Sequence, residues 1–126
     1  MTVKIGYVRL LASLMGLGDW KITMGKALPA DGPDLARIDI SYGRKRAVLH
    51  LSLGVKGIAL VDQRHTLVHE LIHCYLEPVR LASLNWTSQL GAKAAQMAVE
   101  NVHYNVEFAV DAMATAWAPC LPLPED

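Results

Sequence analysis

Apolar positions along the chain repeat with two different periods, and the changes of period divide it into elements. Ile5, Val8, Leu11, Ala12 and Met15 recur at helical spacing, predicting an amphipathic first helix that Gly16 and Gly18 end. Trp20 to Met24 alternates instead, predicting a strand that covers Trp20, Ile22 and Met24. Pro29 to Pro33 reads as a loop. Ala36 to Tyr42 and Arg46 to Leu53 follow as second and third strands, joined through Gly43 to Lys45 as an antiparallel hairpin. In the third strand Ala47, Leu49, Leu51 and Leu53 share one face. Val48, His50 and Ser52 share the other, which makes His50 a cross-strand rim residue. This strand leads toward the next helix and is expected at the edge of the sheet.

Helical periodicity returns after Gly54 and Gly57. Asp62 is the expected N-cap of a helix reaching about Leu76, because Pro78 opposes continuation. A last long helix is expected from Thr87 or Ser88 to about Trp117, with Pro119, Pro122 and Pro124 ending regular structure. The order predicts an α+β fold: an N-terminal helix, a small sheet of three or more strands with an antiparallel hairpin, and two further helices. A length of 126 residues suits a single domain, 1–126.

Composition narrows the function classes. Hydrophobic residues make up 52% of the chain, enough for a packed core and too many for disorder. A formal net charge of zero gives no broad attraction to nucleic acid or anionic lipid, and Arg44-Lys45-Arg46 reads as a solvated turn. No segment reaches the roughly 18 apolar residues that span a bilayer. The opening stretch lacks a small-x-small cleavage site, so a cytoplasmic protein is expected, with secretion as the alternative. Cys74 and Cys120 form no disulfide framework. Cys74 points about 100° away from its neighbour His73 on the helix and reads as a buried apolar residue.

The strongest chemical signal lies in the middle helix, where His69-Glu70-Leu71-Ile72-His73 spells HELIH. Histidines four apart share a helix face, about 6 Å apart along the axis, so both imidazoles can meet one ion. Zinc in catalytic sites keeps three protein ligands and one open position, and Glu70 would stand beside that position. The third ligand must come from elsewhere. In the last helix Glu100, His103, Glu107 and Asp111 recur at steps of three, four and four, forming one polar stripe in an otherwise apolar segment. The stripe can simply face water. Beside HELIH it offers Glu107 as the third ligand, Glu100 as a competitor, and Asp111 as the acceptor for a second imidazole nitrogen. His65 shares the face of His69 and reaches either the rim of the site or solvent.

HELIH followed by Glu107-Phe108-Ala109-Val110-Asp111 resembles the HExxH…ExxxD pattern of the gluzincin metallopeptidases. The DW-I run, the YGRKRAVLHLSL hairpin and the APCLPLPE tail are similar to small phage or prophage-encoded minimal gluzincins, distantly related to the ImmA/IrrE and SprT-like groups. The resemblance implies a compact zincin-like core, Zn2+ held by His69, His73 and Glu107, a catalytic Glu70 and an orienting Asp111. It leaves open the Tyr or His that stabilises the oxyanion in larger gluzincins.

On this reading zinc acidifies its water and Glu70 acts as general base in peptide-bond hydrolysis. His103 is the expected oxyanion donor, ahead of Tyr104 and Tyr75, which are expected to pack against the sheet. A peptide or protein substrate would pair along strand 46–53 through main-chain hydrogen bonds. Two other readings compete: a metal-containing binding or phage structural protein with little turnover, and a module that cleaves one repressor-like protein. No helix-turn-helix or zinc-finger spacing supports DNA binding. Substrate, cleavage preference and oligomeric state are not encoded in any recognisable pattern.

Overall fold

The computed structural model describes residues 3–125; positions 1, 2 and 126 of the expected 1–126 span lie outside the described residues. Its elements are α1 (Ile5–Leu14), β1 (Lys21–Met24), β2 (Ala36–Ser41), β3 (Arg46–Leu51), α2 (Leu60–Leu84) and α3 (Ala92–Trp117), with short 3-10 turns between them. The arrangement is α+β, with a small mixed sheet, a histidine-bearing central helix and a long C-terminal helix. No helix among the described residues is long and apolar enough to cross a membrane.

The hairpin forms in the expected register, with Ala36 opposite Leu51 and Ser41 opposite Arg46. Its connection is a 3-10 turn at Tyr42–Arg44, closed by Lys45 in the left-handed conformation (φ 49°). Lys45 also pairs with Asp19. The position of β3 corrects the sequence reading. Strand order is β1-β3-β2, with β1 parallel to β3 and β2 antiparallel to it. Strand 46–51 is therefore the centre of the sheet, and its backbone is paired on both sides. Parallel pairing joins segments distant in sequence, so no local pattern announces it.

One face of the sheet is covered by helices. Val8 and Leu11 of α1, Ile22, Ala47 and Leu49 of the sheet, Leu67, Leu71 and Ile72 of α2, and Val110 and Ala114 of α3 form one buried cluster. Each fully buried Leu or Ile contributes about 1.5–3 kcal/mol over exposure, which anchors α2 against both the sheet and α3. Leu53, expected on the covered face, is exposed because β3 ends at Leu51. Met24 also sits at the margin and is 38% exposed.

Helix limits differ from expectation for local reasons. The N-cap of α2 is Ala59, so Asp62 lies in the first turn, where its charge complements the helix dipole. Pro78 lies inside α2 instead of ending it. An interior proline costs about 3 kcal/mol. The buried Glu77 just before it accepts from Arg80 Nε at 3.0 Å, a pair that spans the proline. Thr87 does not begin α3. Its Oγ1 donates to Leu84 O at 2.7 Å, finishing α2, and Gly91 is the N-cap of α3. Tyr75 and Tyr104 do not pack on the sheet: Tyr104 is exposed, and Tyr75 meets Trp117 edge-on while donating to Met15 O.

Candidate metal centre

Helical periodicity brings the site together from two elements. In α2, Leu67, Val68, Leu71, Ile72 and Cys74 are buried, so the face carrying His69 and His73 is turned along the margin of the core. Their rings lie 5.3 Å apart between centroids, edge to face. In α3, Val110 and Ala114 seat the helix on the core and leave Glu107 and Asp111 toward α2. Glu107 spans both imidazoles. Its Oε2 is 3.2 Å from His69 Nε2 and its Oε1 is 2.9 Å from His73 Nε2. His69 Nδ1 donates on its other side to Asp111 Oδ1 at 2.9 Å.

The donor set fits zinc. His69, His73 and Glu107 each offer a ligand atom within 4.8 Å of the others, two nitrogens and one carboxylate oxygen. Around a tetrahedral zinc with bonds of 2.0–2.2 Å, neighbouring donors stand about 3.3–3.5 Å apart. The two nitrogen–oxygen contacts use different oxygens of Glu107, so a small movement of that carboxylate would let one oxygen share an ion with both rings. Burial holds the His73 pKa below its usual value, against the opposing pull of Glu107, and so favours the neutral imidazole that metals bind.

Glu70 is one of two buried acids, with Glu77, and the one that lies between the two histidines. Desolvation pushes its pKa from 4.5 up to about 7; Glu107 and Asp34 push the same way, and His69 opposes them. It lines a cleft of about 690 Å³ together with His69, His73, Glu77, Arg80, His103, Glu107 and residues of β2. A carboxylate poised near neutrality at the wall of such a cleft is equipped to exchange a proton with a bound molecule.

No protein-family model, no curated protein and no solved structure matches the chain. The metal-binding capacity therefore stands on geometry alone.

The other expected positions sort clearly. His103 is exposed and lines the same cleft, one turn before Glu107, but lies outside the cluster of ligand atoms. Glu100 accepts from Gln96 Nε2 and takes no place in the cluster. Cys74 is buried and Cys120 exposed, both as free thiols. His50 bonds across the sheet, with Nε2 2.9 Å from Asp39 Oδ2 and Nδ1 2.8 Å from Lys26 O.

Two features escaped the sequence reading, and His65, expected at the rim of the site or in solvent, takes a further place. Glu77 and Arg80 form a buried-to-rim ion pair in the cleft; their spacing of three on a helix was the available signal, hidden by Pro78 between them. Asp34 faces Glu70 from the loop before β2, and no periodic pattern marks it. His65 joins His69 and Asp111 in a second group of ligand atoms.

Proposed function

We propose that the protein is a zinc-dependent peptidase, with His69, His73 and Glu107 as the metal ligands and Glu70 as general base. The observation that carries this reading is the convergence of two imidazole nitrogens and one carboxylate beside a buried glutamate in one cleft. Bound zinc supplies Lewis acidity, which acidifies water and polarises a carbonyl. Asp111 orients the His69 ring and holds its proton on Nδ1, leaving Nε2 free as a donor. Glu70 accepts the proton of the attacking water and passes it to the departing amine. His103, at the rim, donates a hydrogen bond to the oxygen that becomes negative.

The substrate lies along β2. This strand pairs with β3 on one side only, and Ala36 through Ile40 line the cleft, so main-chain groups of an extended peptide can complete its free edge. Affinity through backbone hydrogen bonds asks little of the peptide's side chains. The resemblance to minimal gluzincins agrees with the roles of His69, His73, Glu107, Glu70 and Asp111.

Metal analysis of freshly purified protein, paired with cleavage of a broad peptide library by wild type and Glu70→Gln, tests the proposal. One equivalent of zinc in both proteins, with cleavage by the wild type and a loss of at least about 100-fold in the variant, is expected. Zinc in both with cleavage in neither would overturn the peptidase reading and favour a metal-holding binding protein.

A further inference from the structure

The ligand-bearing faces of α2 and α3 repeat themselves one turn along. Histidines at 65, 69 and 73 are each four apart on α2, and the carboxylates Glu107 and Asp111 are four apart on α3. His69, His73 and Glu107 form one group of converging ligand atoms. Displaced by one turn, His65, His69 and Asp111 form another, again with all three ligand atoms within 4.8 Å of one another. Both groups have the same chemistry, two imidazoles and one carboxylate. His65, Thr66, His69, Glu70 and Asp111 also line a second opening of about 240 Å³, together with Asp34. An ion can therefore reach this group from its own side.

We propose that His65, His69 and Asp111 form a second, weaker site for a transition-metal dication. Imidazole and carboxylate donors in a three-ligand set select zinc, cobalt, nickel or copper over calcium or magnesium. The second site is weaker because it competes with the first for His69. His69 Nδ1 lies 2.9 Å from Asp111 Oδ1 with its proton between them, and an ion bound there must displace that proton or use Asp111 and His65 alone. Filling it withdraws Asp111 from His69, so excess metal loosens the first site. The inference goes beyond peptidase activity and does not require turnover.

Zinc titration of the chelator-stripped full chain, read by competition with a chromophoric chelator, tests it. Wild type is expected to take two equivalents, the second bound roughly 100-fold more weakly than the first. His65→Ala, and His65→Gln if alanine disturbs the circular dichroism, should lose the weak equivalent and keep the tight one. His73→Ala should lose the tight equivalent and keep a weak one. A single equivalent in the wild type, or a weak equivalent surviving both His65 variants, overturns the second site. A tight equivalent that survives His73→Ala would instead overturn the first site, so the two failures are distinguishable.

Discussion

Burial of Glu70 makes the metal-stripped protein lose stability as pH rises, and the size of the loss follows from its displaced pKa. An unfolded chain ionises this carboxyl near 4.5, whereas the folded chain keeps the proton until about pH 7. Between those values the folded state binds more protons than the unfolded state. The stabilising contribution of the protonated group is thus complete below pH 4.5 and is withdrawn as pH rises through 7. The full displacement, in which the opposing pull of His69 is already included, corresponds to about 2–3 kcal/mol. Glu70→Gln removes this titration and leaves the other carboxylates and histidines in place. Urea unfolding in the presence of chelator, followed by tryptophan fluorescence at steps from pH 4.5 to 8, measures both proteins. The variant should gain about 2–3 kcal/mol on the wild type across that range. Parallel stability curves would refute the argument, because they would mean that Glu70 ionises as easily in the folded protein as in the unfolded chain.

Other substitutions probe the remaining parts. Asp111→Asn should weaken the tight zinc equivalent by about 10–100-fold, read by chelator competition, whereas Glu100→Gln should leave it unchanged. Leu71→Ala, at a fully buried position between sheet and helices, should cost about 2–5 kcal/mol in urea unfolding. Gly16 has φ +83°, and a Cβ there would stand 2.7 Å from Tyr75 Oη, so Gly16→Ala should lower stability by at least about 1 kcal/mol. If β2 receives the substrate, a proline at Ala36, whose N–H faces away from β3, should raise KM in peptide cleavage more than it lowers kcat; equal effects on both would argue against strand pairing.

The parts of the site that were legible in the sequence are those set by spacing within one helix. His69, Glu70 and His73 occupy consecutive turns of α2, and Glu107 and Asp111 consecutive turns of α3, so each half of the cluster follows from the 3.6-residue period. The pairing of the halves was legible for a chemical reason: carboxylates interrupting the apolar pattern of α3 need a polar partner, and HELIH offers one. What remained hidden depends on contacts between distant segments. β1 reaches β3 across the hairpin, making strand 46–51 central and leaving β2 as the edge beside the cleft. Pro78 reads as a stop signal, yet α2 continues through it, with Glu77 and Arg80 paired across it. Asp62 and Thr87 are both capping-type residues, but one sits inside the first turn of α2 and the other closes its end.

The same regularity that makes the centre readable also constrains it. Along α2 and α3 the one-turn steps match, so His73 meets Glu107 and His65 comes within 4.8 Å of Asp111. His69, between them, meets both carboxylates. Its two nitrogens are therefore committed in opposite directions, Nε2 toward Glu107 and Nδ1 toward Asp111. A ring held from both sides has little rotational freedom, which preorganises the donor that faces the cleft. His73 has no such second carboxylate among the described contacts and relies on Glu107 and on burial. The two imidazoles are thus held by different means: His69 by a fixed pair of carboxylates, and His73 by desolvation that favours its neutral form. Both arrangements depend on α2 and α3 keeping their relative height, which the buried contacts of Leu67, Leu71, Val110 and Ala114 enforce.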